Sequence, residues 1–218
     1  MKILIIAPHP DDEVLGCGGS IVNHTKKGDE VHICYITVAY YPDWSEEFIK
    51  NRPKEIKKVL KVLGVKKSYN LDFPTVKLDT IPRKDLNDSL YKIVKKIKPD
   101  IAYIPHIGDL NHDHQLIHKS ALVALRPSNC KVKKILSYEV LSETEWGPQN
   151  NSFNPNYYVN ISKTFKDKIR AMKVYNSELK EKPHPRSTDV IEALAIKRGS
   201  EIGVNYAEAF MVIREIVS

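Results

Sequence analysis

The residues that most constrain the fold stand at the start of the chain, where an unbroken apolar run meets a rigid polar turn. Residues 2–7, KILIIA, offer almost no polar side chain to either face of a strand, which is typical of a parallel strand covered on both sides by helices. The run ends in residues 7–13, APHPDDE, with two prolines and three acidic side chains. This opening predicts a parallel sheet with a polar site at the carboxyl end of its first strand.

Short β-rich runs alternate with helical patterns along most of the chain, as they do in βαβ units. The alternation predicts an α/β fold that is Rossmann-like, with three α/β/α layers and a mostly parallel central sheet. Because no repeat, low-complexity tract or linker interrupts the pattern, we expect residues 1–218 to form a single domain. Strands are predicted at 2–7, 30–37, 67–72, 100–105, 134–141 and 157–161, and helices at about 15–28, 44–63, 82–98, 114–125, 163–176 and 188–199, before a last apolar segment.

Composition excludes several classes of protein. With 42% hydrophobic and 28% charged residues, the chain is expected to be globular rather than disordered. No apolar run approaches the roughly 20 residues of a membrane-spanning helix, and the N-terminus lacks the features of a signal peptide. Its three scattered cysteines form neither a disulfide framework nor a metal knuckle. We therefore expect a cytoplasmic protein without a membrane span.

The net charge of +7 raises the question of a polyanionic partner. Residues 50–67 carry eight positive side chains against one glutamate, so this stretch alone accounts for the excess. Apolar residues recur within it at helical spacing, which favours an amphipathic helix with a solvated lysine face. We expect no nucleic-acid partner.

The polar turn after the first strand has the composition of a metal site. His9 and Asp12 are three residues apart around a turn fixed by two prolines, so both side chains can approach one cation. Asp11 must then point elsewhere, and a free carboxylate beside a metal is suited to accept a proton from water. The alternative is a helix N-cap region, in which acidic residues suit the helix dipole; it explains residues 11–13 but not His9.

A second polar cluster, residues 105–118, follows the fourth predicted strand and holds four of the eight histidines. Histidine is the commonest zinc-binding side chain, and a catalytic zinc ion takes three protein ligands and leaves one position open. His9, Asp12 and one histidine of this cluster would form such a site. Two clusters with complementary ligand types at the ends of parallel strands therefore predict a catalytic metal centre.

The motifs at residues 7–13 (APHPDDE) and 15–19 (LGCGG) resemble the opening of the PIG-L/LmbE-like zinc N-deacetylases. The resemblance continues through 109–114 (DLNHDH), 184–187 (HPRS) and the segment 198–210, and so covers essentially the whole chain. It implies an enzyme that removes the acetyl group from an N-acetylglucosamine-type sugar or its conjugate. It also implies assembly into trimers or hexamers, and leaves open whether the substrate is a free sugar, a sugar nucleotide or another glycoconjugate.

Carried over by position, the resemblance implies that His9, Asp12 and His114 bind one Zn²⁺ ion, or another divalent metal, per chain. Asp11 would be the general base, and Asp113 would belong to the polar surroundings of the metal. Arg52 lies about where relatives place an arginine near the substrate, and a substrate phosphate would suit it.

One position departs from the family pattern. Many relatives carry a histidine three residues before the zinc-binding histidine, and this chain has Asn111 there. Asparagine can donate a hydrogen bond to an oxyanion but cannot shuttle a proton. The acid that protonates the leaving amine is therefore open between Asp11, acting twice, and His184.

Two tryptophans, Trp44 and Trp146, follow strands in polar stretches of the sequence. We predict that they stack on a sugar ring from loops above the site.

Three other interpretations compete with a sugar deacetylase. A nucleotide-binding Rossmann module is suggested by the glycines at 16, 18 and 19, but these follow the strand too late, and we interpret them as close packing of a helix on the sheet. A zinc hydrolase of a non-sugar acyl amide would use the same ligands. A non-catalytic relative is disfavoured by the complete ligand set.

Overall fold

The structure is a computed structural model that describes residues 1–217. Within these residues, seven strands and six α-helices alternate along most of the length, as the sequence pattern predicted. The strands are β1 (Lys2–Ala7), β2 (Glu30–Val38), β3 (Lys67–Pro74), β4 (Ile101–Pro105), β5 (Lys134–Tyr138), β6 (Tyr157–Asn160) and β7 (Ala207–Glu215); the helices are α1 (Asp12–Lys26), α2 (Glu46–Leu63), α3 (Arg83–Ile97), α4 (His112–Ala124), α5 (Phe165–Met172) and α6 (Thr188–Ser200).

All seven strands form one sheet in the order β3-β2-β1-β4-β5-β7-β6. The first five strands are parallel, whereas β7 runs antiparallel to both β5 and β6. The prediction of an α/β fold with a mostly parallel sheet is therefore confirmed. The last apolar segment of the sequence is β7.

The three layers follow from the apolar character of both faces of β1. Ile3 and Ile5 pack with the apolar sides of α1, α2 and α5. The alternate residues Leu4 and Ile6 pack with α3 and α4 on the opposite face. Because successive side chains of a strand point to opposite faces, a run without polar residues requires this double cover.

Helix α1 begins at Asp12, three residues earlier than predicted. The sequence pattern placed its start near Leu15 because residues 11–13 are acidic and the apolar periodicity begins only after them. In the structure, however, Asp12 and Glu13 are buried in the first turn of the helix. The last two acidic residues of the motif are therefore part of the helix, whereas residues 8–11 form the turn that precedes it.

The glycines of α1 allow the helix to pack closely against its neighbours, as predicted. A Cβ atom on Gly16 would lie 2.3 Å from the ring of Tyr138, and one on Gly19 would lie 2.6 Å from Ile161. Both glycines lie inside the helix, not in a loop before it. They therefore cannot form the phosphate-binding turn of a dinucleotide fold, which removes the main support for a nucleotide-binding module.

The lysine-rich stretch forms the exposed side of α2 and the segment after it. Every lysine between residues 50 and 67 is exposed, whereas Val59 and Leu63 are buried. The amphipathic helix predicted from the charge run is confirmed. In the part of the chain that the structure describes, no helix combines the length and apolarity needed to cross a membrane.

The contact between Gly16 and Tyr138 predicts a large cost for a single methyl group. The Tyr138 ring is fully buried and its hydroxyl donates a hydrogen bond to the carbonyl of Ile6 at 2.8 Å, so the ring cannot move aside. We expect Gly16→Ala to lower the free energy of unfolding by about 1–3 kcal/mol, in spite of the helix propensity gained. Urea unfolding measures this change.

Gly18→Ala is the matched control, because it adds the same methyl group to the same helix. Its Cβ would lie 3.0 Å from a side-chain carbon of Lys168, a much milder contact. We expect a clearly smaller loss of stability. Equal stability of the Gly16→Ala and wild-type proteins would contradict the packing argument.

Candidate metal centre and its surroundings

The polar clusters meet where the order of strands changes direction. From β1 the chain continues to β2 on one side of the sheet, and after β3 it crosses to β4 on the other side of β1. The loops that leave β1 and β4 therefore diverge and open a crevice at the carboxyl edge of the sheet. His9 and Asp12 follow β1, and His114 lies in the first turn of α4, which follows β4.

Three ligand atoms converge in this crevice. His9 Nδ1 lies 3.2 Å from Asp12 Oδ2, His114 Nε2 lies 3.3 Å from the same oxygen, and the two imidazole nitrogens are 3.3 Å apart. Ligand atoms at about 2.0–2.1 Å from a tetrahedral zinc ion stand ~3.3–3.4 Å from one another. The triangle thus has the dimensions of one face of a zinc tetrahedron. Asp12 and His114 are buried, whereas His9 is partly exposed and borders the opening.

A second carboxylate orients each histidine. Asp109 Oδ2 lies 2.8 Å from His114 Nδ1, and Asp113 Oδ2 lies 3.2 Å from His9 Nε2. A proton on each of these outward nitrogens leaves the inward nitrogen free to bind a metal, and such carboxylate–histidine pairs are typical of zinc sites. Asp113 was predicted near the metal. No role was predicted for Asp109, because a separation of five residues in the sequence does not indicate which histidine an aspartate contacts.

The carboxylates of the cluster favour positive charge on its two histidines. Burial lowers the pKa of His9, but hydrogen bonds to Asp113 and Asp12 outweigh this effect and raise it to about 9. Burial likewise opposes protonation of His114, yet the charge of Asp12 and the hydrogen bond to Asp109 raise its pKa well above the ordinary value. The same ion pairs hold the pKa of Asp12 below its usual range against the effect of burial. A divalent cation would take the place of these protons.

Asp11 stands beside the triangle but outside it. It occupies the N-cap position of α1, yet its side chain makes no capping hydrogen bond, and its φ of 147° is outside the conformations that side chains favour. The N-cap alternative therefore does not explain this residue. Burial and the charge of Asp12 raise the pKa of Asp11 to about 8, while Arg186 acts in the opposite direction. A buried carboxyl group with a pKa in the neutral range is typical of acid–base chemistry.

Glu13 stabilises the strained backbone conformation of Asp11 through a hydrogen bond. Its Oε2 accepts a hydrogen bond from the backbone N–H of Asp11 at 3.0 Å, and its Oε1 accepts from the hydroxyls of Tyr35 and Tyr175 at 2.9 and 2.7 Å. Glu13 is fully buried. This network fixes the backbone of the turn and so the direction of the Asp11 carboxylate.

Arg186 contacts Asp11 from the C-terminal part of the chain. Its Nη1 donates to Asp11 Oδ2 at 3.0 Å, and the same guanidinium contacts Ser142, Glu143 and Glu178. The sequence had suggested that His184 enters the site from this segment. The structure instead leaves His184 exposed, with its Nδ1 accepting a hydrogen bond from the backbone N–H of Arg186. Arg186 lies in the HPRS motif at residues 184–187. No sequence pattern, however, indicates that its side chain contacts Asp11, 175 positions earlier.

Asn111, Trp44 and Trp146, which were also predicted to take part in the site, differ in what they contact. Asn111 is the N-cap of α4, and its Oδ1 accepts from the backbone N–H of Asp113 at 3.0 Å, which leaves its amide NH₂ as a donor. Trp44 packs edge-on against Tyr40 in the loop after β2. Trp146 is 69% exposed in a short 3₁₀ helix after β5.

Arg52 is buried in ion pairs and is not directed at open space. It contacts Glu55 and Glu178 and lies over the ring of Phe48. Glu178 also contacts Arg186, so Arg52 is linked to the Asp11 carboxylate only through two other side chains. Recognition of a substrate phosphate by Arg52 would first require its ion pairs to break.

Comparisons with known proteins identify the family and the fold. The PIG-L family model, described as GlcNAc-PI de-N-acetylase, matches residues 4–125. Diacetylchitobiose deacetylase of Thermococcus kodakarensis is 26% identical over 97% of this chain and 83% of its own length. The conserved protein TT1542 of Thermus thermophilus has a solved structure with a TM-score of 0.81 and 25% identity, covering 99% of this chain and 96% of its own.

The fold alone does not identify the reaction. The 4-carboxy-2-hydroxymuconate hydratase GalB of Pseudomonas putida superposes with a TM-score of 0.79 at 17% identity, covering 100% of this chain and 98% of its own. At this identity the likeness extends to the fold and no further.

The contact between Asp109 and His114 predicts a loss of metal affinity without loss of the ligands. We expect Asp109→Asn to weaken Zn²⁺ binding about 10–100-fold, because the carboxylate no longer fixes the imidazole. Competition with a chromogenic chelator measures the affinity directly. Asp29→Asn is the matched control, because Asp29 contacts His24 at 2.7 Å in the same manner but outside the cluster; equal effects of the two substitutions would contradict the assignment.

Proposed function

The chain belongs to the PIG-L family of amide-hydrolysing deacetylases, and on this premise we propose that it is a zinc-dependent N-deacetylase of an N-acetylglucosamine-type sugar or its conjugate. The observation that carries the proposal is the triangle of His9, Asp12 and His114 with the Asp11 carboxylate beside it. Three nitrogen and oxygen ligands at tetrahedral spacing suit zinc, and a partly exposed edge leaves room for substrate and water. One ion per chain fits this donor set.

The bound metal would supply a Lewis acid that polarises the acetamide carbonyl and lowers the pKa of water to about 7. The Asp11 carboxylate would accept the proton of the attacking water, since it lies next to the metal ligands without being one of them. Water oxygen then bonds to the carbonyl carbon. The negative charge that develops on the carbonyl oxygen would be stabilised in part by the free amide NH₂ of Asn111.

Breaking the carbon–nitrogen bond requires a proton on the leaving nitrogen. Of the two acids left open by the sequence, only Asp11 lies beside the metal ligands, whereas His184 is exposed on the surface. We therefore assign both transfers to Asp11, which takes the proton from water and returns it to the nitrogen. The products are acetate and the free amine. Arg186 would orient Asp11 through its 3.0 Å contact with Oδ2.

Two findings support a sugar amide over other acyl amides. The matched family is described by its action on GlcNAc-PI, and the Thermococcus relative is named for diacetylchitobiose. Trp44 and Trp146 lie on loops at the same edge of the sheet as the metal centre, where an aromatic face can pack on a sugar ring. The ligand set by itself would serve a non-sugar amide equally well, so the substrate screen must include both.

Acetate release from a panel of compounds tests the function. The panel contains N-acetylglucosamine, its glycosides, an acetylated sugar nucleotide and an N-acetyl amino acid. We expect acetate from the N-acetylglucosamine compounds, loss of activity after dialysis against a chelator, and recovery with one equivalent of Zn²⁺. Activity that survives removal of the metal would contradict the zinc mechanism, and acetate from the amino acid alone would favour the non-sugar alternative.

Separate substitutions distinguish the base from the ligands. We expect Asp11→Asn to retain stoichiometric zinc and to lower kcat about 10²–10⁴-fold, because the amide cannot accept the proton. We expect His114→Ala to lose both zinc and activity, since it removes a ligand. Metal analysis of the purified variants and acetate release give the two readouts. Full activity of Asp11→Asn would disprove its role as the base.

A further inference from the structure

Three large apolar side chains are exposed at the edge of the sheet that holds the metal centre. Val38, Tyr41 and Val76 are 39%, 69% and 68% exposed, and they lie at the end of β2 and in the loops that follow β2 and β3. We call these three residues the apolar rim. They stand at the carboxyl edge of the sheet, at which the metal ligands also lie. A single exposed apolar residue is ordinary, but a group at the opening of a site indicates a binding surface.

Hydrogen bonds connect the Val38 and Val76 parts of the rim, and they join Val76 to the metal ligands. The backbone N–H of Thr75 donates to the carbonyl of Val38 at 3.1 Å, which places Val38 beside the residue that precedes Val76. Tyr41 follows Val38 by three residues in the loop after β2. The backbone N–H of Val76 donates to Asp113 Oδ2 at 2.7 Å, and the same oxygen lies 3.2 Å from His9 Nε2. Only one carboxylate therefore separates Val76 from a metal ligand.

The backbone of Val76 indicates that its side chain is needed. Its φ is 59°, in the left-handed region where a β-branched residue is strained and glycine is the ordinary choice. Strained residues that persist are concentrated at functional sites. A valine that is both strained and exposed gains no stability from core packing, which supports a role for its side chain in binding.

The charges around the rim argue against an anionic occupant. Lys77, which follows Val76 in the chain, lies with its ammonium group 4.2 Å from the centre of the Tyr40 ring and 3.6 Å from Asp43. It is thus already paired with an aromatic face and a carboxylate. A phosphate placed here would find no free positive charge on Lys77.

We propose that the apolar rim binds an apolar aglycone, and that Val76 determines this specificity. The inference rests on the proposed deacetylase function and narrows its substrate to N-acetylglucosaminides that carry an alkyl or aryl group. The acetamide would lie at the metal ligands while the aglycone covers Val38, Tyr41 and Val76. A free sugar, which is hydroxylated on every side, would leave these three side chains in water.

Two synthetic glycosides test the proposal. We expect kcat/KM for acetate release to be at least tenfold higher with the hexyl β-glycoside of N-acetylglucosamine than with the methyl β-glycoside. Val76→Thr keeps the shape but replaces a methyl with a hydroxyl group, and Val76→Gly removes the side chain. Both substitutions should lower the hexyl-to-methyl ratio at least threefold.

Lys98→Gly is the matched control for backbone strain. Lys98 has a φ of 54° at the C-terminal end of α3, so glycine relieves the same kind of strain at a place remote from the rim. We expect Lys98→Gly and Val76→Gly both to keep or raise Tm, and only Val76→Gly to change the hexyl-to-methyl ratio. Equal ratios in Val76→Gly, Val76→Thr and wild type would overturn the proposal.

Binding separates this proposal from the deacetylase function. Zinc-loaded Asp11→Asn should bind the hexyl glycoside more tightly than the methyl glycoside in calorimetry, with no turnover to disturb the measurement. Equal affinity for the two glycosides, together with acetate release by wild type, would overturn the aglycone site and leave the deacetylase intact. No acetate from either glycoside would overturn both.

Sedimentation tests whether the rim is instead a contact between subunits. If the wild-type protein is an oligomer and Val76→Asp converts it to monomers, the rim belongs to a subunit contact and the aglycone site is overturned.

Discussion

The buried carboxylate of Asp12 is the constraint from which the rest of the site follows. A charged group with 1% of its surface exposed is stable only with a positive partner and satisfied hydrogen bonds. His9 and His114 supply that partner from two different strand ends, and Asp109 and Asp113 in turn orient the histidines. The cluster thus holds more carboxylates than histidines, and a divalent cation would supply the same positive charge as the two protons that the histidines otherwise bind.

The position of Asp12 depends on how α1 is anchored to the sheet. Lys168 Nζ donates to the carbonyl of Leu15 at 2.7 Å, and Glu208 accepts from the backbone N–H groups of Gly19 and Ser20 at 2.9 and 2.8 Å. In an unbroken helix the carbonyl of Leu15 and the N–H of Gly19 are partners. A buried Lys168–Glu208 ion pair, 2.7 Å apart, therefore ties the helix interior to α5 and β7. The glycines that permit this close approach serve the geometry of the site.

The sequence predicted those parts of the molecule that depend on local pattern. The apolar run of β1 indicated a sheet covered on both faces, and the motifs after β1 and β4 indicated which side chains would meet, because parallel strand ends share one edge. The start of α1 at Asp12 was missed because buried acidic residues hide the apolar periodicity. The contacts of Arg186 with Asp11 and of Asp109 with His114 were missed because long-range pairing between charged side chains leaves no periodic signal.

Backbone strain in this chain is concentrated around the site, which bears on how its geometry is held. Of the five non-glycine residues with positive φ among residues 1–217, Asp11, Val76 and Ser142 each bond to the charged network, through Arg186 or Asp113. Each of the three costs of the order of 1–3 kcal/mol and persists because charged partners fix it from outside. The ion pairs therefore do more than neutralise one another. They hold Asp11, the proposed base, and Val76 of the rim in backbone conformations that would be unfavourable without these contacts. The chemistry of the site and the shape of its opening therefore depend on the same contacts.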